Sequence, residues 1–263
     1  MTVETWTVAE LGRHRGAIAL ACRVLARRGL ADGILGHISL RIDERRLLVR
    51  CRGPEERGLA YTVAQDIRLV DLDGAEAAPG QLAEGYSTPN ELPLHTELLR
   101  SRPEVRAVVH AHPPSVVAAD LAGLSVRPVI GAFDIPGARL AADGVPVYPR
   151  AVLVRDRRLA REMVAAMDGR PVVILRGHGL TSAAQTVEQA VLQALSVDTI
   201  SRISLQVAAA GGTLVDLPAA DMAELPDLGG SFNTATAWRH ELARLNEFPG
   251  HPASMSEQPL VRR

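Results

Sequence analysis

Two histidines close an apolar stretch of the sequence, in the segment AVVHAHPP at residues 107–114. Side chains two residues apart in a strand project from the same face, so His110 and His112 point together where the strand ends. Two imidazoles on one rigid strand can supply two ligands to a metal ion. Alone, such a pair is more often a chance or surface feature than a metal site.

A third imidazole stands in VVILRGHGLTS, where His178 lies between two glycines at the end of another apolar segment. Glycine allows the backbone to approach a bound group closely or to take a positive φ. With the HxH pair, this histidine could complete a three-histidine site. Such a site leaves a coordination position open for water or substrate, which is the catalytic pattern.

The segment NELPLH adds a carboxylate, because Glu91 and His95 are four residues apart on one predicted helix face. A carboxylate beside a metal-bound substrate can transfer protons. Glu91 could equally stabilise the positive end of that helix. We expect His95 to support the site or an interface rather than to bind metal.

The composition excludes several classes of protein. The 263 residues contain no lysine, so lysine Schiff-base chemistry and a lysine-bearing phosphate loop are both excluded. A net charge of −1 favours neither nucleic acid nor an anionic membrane as a partner. Cys22 and Cys51 form no CxxC pattern, which disfavours a disulfide framework. With no signal-like start and no apolar run of about 20 residues, we expect a cytoplasmic protein.

Apolar periodicity and turn residues predict alternating strands and helices. This alternation predicts one α/β domain over residues 1–263, with helices covering a sheet and a loosely ordered tail from about residue 249. Strands are predicted in HISLRI, RLLVRC, DIRLVDLDG, VRAVVHAH, RPVIGAF, VPVYP and PVVILRGHG. Helices are predicted over residues 8–28, in the segment that follows Asn90 as N-cap, in PSVVAADLAG, in RRLAREMVAAMDG and from TVEQ to Gly211–Gly212.

The ordered motifs NELPLH, SRPEVRAVVHAHP and RGHGLTS…TVEQA closely resemble the class II aldolase/adducin family, from about residue 29 to 212. The resemblance implies a three-layer α/β/α sandwich with a central, largely antiparallel sheet. It also implies a homotetramer with active sites at subunit contacts. In family enzymes the HxH pair and the GHG histidine bind a divalent metal, and a glutamate 19 residues before the HxH is the acid/base group.

Glu91 stands 19 residues before His110. The resemblance therefore implies one divalent ion per subunit (Zn, Mn or Fe), bound by His110, His112 and His178. In the same comparison Glu91 is the proton carrier or an additional ligand.

The sequence departs from the sugar-phosphate members of the family. Those members hold phosphate with a glycine/threonine loop ending in asparagine and with two serines before the glutamate. Here the loop is DGILGHIS, with Ile34 and His37 at those positions, and the serines are replaced by Pro89 and Asn90. Few hydroxyl and amide donors remain for a phosphate dianion. The region of the aldolase tyrosine offers only Phe133, which has no hydroxyl.

The remaining polar residues suit a small carboxylic acid. Arg50, Arg52 and Arg176 lie at predicted strand ends and could hold a carboxylate with two hydrogen bonds. His37 is a candidate substrate contact because its loop faces the pocket in the family, and Asn90 is another.

These features predict a divalent-metal-dependent carbon–carbon lyase for a small unphosphorylated hydroxy-aromatic or oxo acid, with decarboxylation favoured over aldol cleavage. The metal would act as a Lewis acid that stabilises a carbanion-like species, and Glu91 would deliver the proton. The segment ELPDLGG resembles decarboxylating branches. A non-haem iron oxygenase is one alternative. A non-catalytic scaffold like the adducin head is another, although such scaffolds normally lack the metal histidines.

Overall fold

The centre of the molecule is a seven-stranded sheet, seen in a computed structural model that describes residues 6–246. The tail expected from about residue 249 lies outside these described residues. The strands are β1 (His37–Arg41), β2 (Arg46–Arg50), β3 (Ile67–Asp71), β4 (Ala107–Ala111), β5 (Val147–Tyr148), β6 (Val172–Leu175) and β7 (Gly179–Ala184).

The strand order is β3-β2-β1-β4-β7-β6-β5, and every neighbouring pair is antiparallel except β5 with β6. Both faces of the sheet are buried because successive residues of a strand serve opposite cores. In β4, for example, Val109 packs in one core and Val108 in the other.

Helices cover both faces of this sheet. The first core is closed mainly by α1, α3, α6 and α8, and the second by α2 and α5. The predicted three-layer α/β/α sandwich with a largely antiparallel sheet is therefore confirmed. The helices are α1 (Val8–Arg27), α2 (Leu92–Ser101), α3 (Pro114–Leu121), α4 (Ile135–Leu140), α5 (Arg157–Met167), α6 (Val187–Ala209), α7 (Ala219–Glu224) and α8 (Ala237–Asn246), with short 3-10 helices at Leu59–Tyr61 and Ala64–Asp66 and a π-helix at Ser231–Thr236.

Local signals in the sequence explain where the long helices begin and end. Thr7 and Glu10 form a capping box at the start of α1, and Gly29 follows its end with a φ of +75°. Thr186 accepts a hydrogen bond from the backbone N–H of Gln189 and so caps α6. Every helix within residues 6–246 is too short or too polar to cross a lipid bilayer.

The structure differs from the elements predicted from the sequence at three places. The strand predicted in RPVIGAF is irregular: Pro128 has no N–H for a sheet ladder, and its carbonyl accepts instead from Leu217 N–H. The sequence does not predict β7, because its small and hydroxyl side chains form no apolar run. Asn90 does not cap α2. Glu91 holds the position before that helix, with no side-chain capping bond.

Candidate active site

The order of the strands in the sheet brings three histidines that are far apart in the sequence to one end of the sheet. His110 lies in β4, His112 follows that strand directly, and His178 lies in the turn between β6 and β7. Because β4 pairs with β7 in the register Ala111↔Leu180, the turn and the HxH segment meet. His178 thus stands in a turn, and not at the end of a continuous strand as the sequence suggested.

Glycine is required on both sides of His178. Gly177 has a φ of +57°, in the left-handed region that residues with a Cβ rarely adopt. A Cβ on Gly179 would lie 2.3 Å from the carbonyl oxygen of Ala111. The GHG motif therefore lets the turn approach β4 closely enough for the imidazoles to converge.

One ligand atom from each of four residues lies within 4.8 Å of the other three, and these residues are Glu91, His110, His112 and His178. His110 Nε2 lies 2.8 Å from His112 Nε2 and 3.3 Å from Glu91 Oε2. His178 Nε2 lies 3.5 Å from the same carboxylate oxygen. The ring centroids of the three histidines are 4.7 to 5.0 Å apart. Three imidazole nitrogens and one carboxylate oxygen thus face a common centre.

One backbone carbonyl orients the ring of His110. Its Nδ1 lies 3.0 Å from the carbonyl oxygen of Leu180, which only accepts hydrogen bonds. Nδ1 therefore carries the proton and Nε2 presents a lone pair to the centre, as in many metal sites. The Nδ1 atom of His178 is buried without a hydrogen-bond partner within the described part of the chain.

Glu91 reaches this centre because it is not used as a helix cap. Its Oε1 accepts a 2.8 Å hydrogen bond from the backbone N–H of Val154, which leaves Oε2 facing the histidines. Burial by itself raises the pKa of the Glu91 carboxyl. The interactions of Glu91 with the imidazoles of His110 and His178 outweigh burial and hold this pKa well below its usual range. Glu91 is thus an ionised carboxylate in a buried position.

A second pair of histidines, His37 and His95, lies next to the cluster. His37 pairs with His110 across β1 and β4, and the two rings stack with centroids 5.0 Å apart. His37 Nδ1 lies 2.7 Å from His95 Nε2, and His95 Nδ1 lies 2.7 Å from Ser39 Oγ. Burial, aided by neighbouring imidazoles, lowers the pKa of His95 to about 3 and that of His37 well below its usual value. Both rings are therefore neutral at physiological pH.

The cluster opens into a cavity of about 330 Å³. Within residues 6–246, Arg52 has no acidic partner, so it adds an unpaired cation to this space. Leu35 and Leu153 are partly exposed apolar residues of the same lining, and sequence reasoning missed them because isolated leucines carry no motif. The predicted residues in the lining are His37, Arg52, Asn90, Glu91, His112 and His178.

The structure does not bring the other two predicted arginines into this lining. Arg50 is buried in an ion pair with Glu56 beside a separate cavity. Arg176 pairs with Asp120 at 3.0 Å, and the same carboxylate accepts a 2.8 Å hydrogen bond from Gly177 N–H. Arg176 and Asp120 together stabilise the turn that carries His178. Nothing in the sequence predicts Asp120 as the partner of Arg176.

Comparison with known proteins identifies the family. The sequence profile described as "Class II Aldolase and Adducin N-terminal domain" matches residues 16–205, well over half of the chain. The chain belongs to the class II aldolase and adducin family. Enzymes of this family depend on divalent metal, and the Glu91/His110/His112/His178 cluster of this member has a suitable donor set.

Relatives within the class II aldolase and adducin family are close in sequence and fold. The chain is 75% identical to the 3,4-dihydroxyphthalate decarboxylase of Arthrobacter keyseri, over 92% of this chain and 98% of that one. It is 68% identical to the enzyme of the same name from Terrabacter sp. (strain DBF63), over 88% of this chain and 97% of that one. These relatives confirm the prediction of a carboxy-lyase.

Solved structures agree with the observed fold. An aldolase II superfamily protein from Pseudomonas syringae superposes with a TM-score of 0.73 over 91% of this chain and 94% of that one. The two sequences are 21% identical, so this likeness concerns the fold alone.

Proposed function

We propose that this protein is a metal-dependent decarboxylase whose substrate is 3,4-dihydroxyphthalate or a close dihydroxyaromatic diacid. The observation that carries the proposal is the convergence of one carboxylate and three imidazoles on a cavity with an unpaired arginine. The chain's 75% identity to a 3,4-dihydroxyphthalate decarboxylase along nearly its whole length supports the substrate. The scarcity of phosphate-binding donors noted in the sequence also favours an unphosphorylated acid.

The donor chemistry of the cluster suits one divalent cation per subunit. His110 offers a lone pair at Nε2 because its Nδ1 proton is committed to Leu180. Imidazole nitrogens with a carboxylate oxygen suit zinc, manganese or iron, and we propose one of these as the native metal. His110, His112 and His178 would hold the ion, with Glu91 as a further ligand or as a free base. When bound, the ion supplies Lewis-acid stabilisation of negative charge on substrate oxygens.

Arg52 and Asn90 are proposed to position the substrate. The Arg52 guanidinium presents planar N–H donors that match a carboxylate, and no acidic side chain within residues 6–246 competes for it. The amide of Asn90 lies in the same lining and can donate to a second oxygen. Leu35 and Leu153 supply apolar surface of the kind that an aromatic ring contacts.

Glu91 is proposed to move one proton during the reaction. The ionised carboxylate accepts the proton of a ring hydroxyl next to the departing carboxylate group. It then delivers that proton to the ring carbon, and the bond from this carbon to the carboxylate carbon breaks to release carbon dioxide. The ring oxygen left as phenolate takes a proton from solvent, so the net change is replacement of CO₂ by hydrogen.

The family resemblance supports a proposal for the assembly and the location. We propose a homotetramer in which a second subunit completes the wall of the cavity, a small-molecule acid as the partner, and a cytoplasmic location. Neither a nucleic acid nor a membrane is proposed as a partner, because the net charge is −1.

A substrate assay with metal analysis tests the proposal. Purified protein is stripped with a chelator, reloaded with zinc, manganese or iron, and incubated with 3,4-dihydroxyphthalate while CO₂ release and oxygen uptake are followed. We expect metal-dependent CO₂ release without oxygen uptake. Oxygen uptake with iron alone would establish the oxygenase alternative. Failure to bind any of the three metals would contradict the proposal and favour the scaffold.

A further inference from the structure

Three buried polar side chains form a hydrogen-bonded series behind the metal-donor cluster. Ser39 and His37 project from the same face of β1, and His95 reaches both of them from α2. Ser39 and His95 are fully buried, and His37 is 6% exposed. The series therefore has one end inside the core and the other at the cavity, where His37 forms part of the lining.

The ring of His37 has one nitrogen left for a ligand. Its Nδ1 is engaged with His95 Nε2 at 2.7 Å. Nε2 is therefore the atom that can meet a bound molecule. Whether it donates or accepts depends on which way the protons of the series point, because a neutral imidazole has one N–H and one lone pair.

The buried serine decides between the two directions. If the series ran from the cavity inward, His95 Nδ1–H would donate to Ser39, and the serine O–H would need another acceptor. Within residues 6–246, His95 is the only hydrogen-bond partner of the Ser39 hydroxyl. An unpaired buried donor is costly. If instead Ser39 donates to His95, and His95 Nε2–H donates to His37 Nδ1, both buried protons have acceptors and only the Nε2–H of His37, at the cavity, is left for a ligand.

We infer that His37 presents a fixed Nε2–H donor to an anionic oxygen of the substrate, and that His95 and Ser39 are positioning residues that fix this proton. This inference rests on the proposed function for the identity of the substrate. The oxygen is a carboxylate oxygen or the ring oxygen that becomes phenolate, since both are acceptors of the same kind. His37 thus selects for an acceptor oxygen beside the cluster.

The buried end of the series, at Ser39, also shows whether the series can carry protons. Ser39 is fully buried and has no further partner in the described chain, so a proton entering at His37 has no exit to solvent. The series orients a ring and does not conduct protons. The proton of the reaction therefore falls to Glu91.

The tautomer can be read directly. In zinc-loaded protein with ¹⁵N-labelled histidine, long-range ¹H–¹⁵N spectra distinguish protonated from unprotonated ring nitrogens, and His37→Gln and His95→Gln assign the two rings. We expect Nε2 protonated and Nδ1 unprotonated in both His37 and His95. A proton on Nδ1 of His37 would overturn the inference, whatever the enzyme's substrate proves to be.

Binding of two probes locates the acceptor oxygen. Calorimetric titration of zinc-loaded protein with 3,4-dihydroxybenzoate and with catechol compares a ligand that has a carboxylate with one that lacks it. We expect His37→Leu to weaken 3,4-dihydroxybenzoate about tenfold to a hundredfold. An equal loss for catechol assigns the contact to a ring oxygen, and no loss for catechol assigns it to the carboxylate. Unchanged affinity for both probes would refute the contact.

Matched variants separate the donor from the bulk of the ring. His37→Gln keeps an N–H near the position of Nε2, so we expect it to retain most of the affinity that His37→Leu loses. His95→Leu should weaken binding and mix the His37 tautomers, while His95→Gln, which still donates to Nδ1, should restore both. His240→Leu, at an exposed position of α8, is the control. If 3,4-dihydroxyphthalate is not decarboxylated but these results hold, the proposed function alone fails.

Discussion

Glu91 Oε1 accepts a 2.8 Å hydrogen bond from the backbone N–H of Val154, while Oε2 of the same carboxylate faces His110 at 3.3 Å. The backbone holds Oε1 in place, and Oε2 is available for proton transfer. This division holds a buried negative charge at the edge of the imidazole cluster.

The Glu91→Gln variant should lower kcat about 10²- to 10⁴-fold, because an amide neither accepts nor delivers a proton at that position. The amide oxygen can still accept from Val154, so the fold should persist. Steady-state CO₂ release and circular dichroism check the two expectations. The control is Glu224→Gln on exposed α7, which should match the parent protein. Wild-type turnover in Glu91→Gln would remove this residue from proton transfer.

Replacing His178 by alanine should lower the amount of metal bound per chain, since one of the three converging imidazoles is lost. Metal content after dialysis, measured by mass spectrometry, is the direct readout. His240→Ala, an exposed histidine outside the cluster, should keep the parent metal content. Equal metal content in both variants would show that His178 is not a ligand.

The Asp120→Ala variant should weaken metal binding about tenfold to a hundredfold without touching a donor atom. Asp120 accepts from Gly177 N–H at 2.8 Å and pairs with Arg176 at 3.0 Å, so its loss frees the turn that carries His178. Competition with a chelator gives the dissociation constant. Asp143→Ala removes an exposed carboxylate that pairs with Arg170 and serves as the control. An unchanged metal dissociation constant in Asp120→Ala would show that the turn holds His178 in place without Asp120.

The Arg52→Gln variant should raise KM for 3,4-dihydroxyphthalate more than it lowers kcat. The guanidinium is proposed to bind a carboxylate that stays on the ring, and a hydrogen bond to a charged group contributes about 1.5–3 kcal/mol. This energy corresponds to roughly a tenfold to a hundredfold change in KM. Arg127→Gln, which removes a surface ion pair with Asp216, is the matched variant. A fall in kcat alone would place Arg52 in the chemical step.

Both cysteine thiols should resist modification in the folded protein at pH 8. Burial raises the pKa of Cys22 and of Cys51 to about 12. A thiol with a raised folded-state pKa stabilises the fold below pH 9 and loses that contribution as the pH rises from about 9 towards 12. Thiol titration with a colorimetric disulfide reagent should detect no reactive thiol in native protein and two after unfolding. Rapid labelling of native protein at pH 8 would contradict this expectation.

The sequence alone determined the parts of the site that depend on local geometry. The alternation of a strand places His110 and His112 on one face, and the glycines around His178 permit a tight turn. The order of the motifs also identified the family and hence the three-layer fold. These features could be predicted because they depend on neighbours in the chain or on a pattern of residues that specifies one architecture.

Only the tertiary structure decided which distant residues meet. The pairing of β4 with β7 brings the turn of His178 to His110, although β7 has no apolar signal of its own. Arg50 and Arg176 look equivalent to Arg52 in sequence, but their carboxylate partners lie near them only after folding. Strand register and the choice of ion pair depend on how the chain packs in three dimensions, and local residue type does not encode that packing.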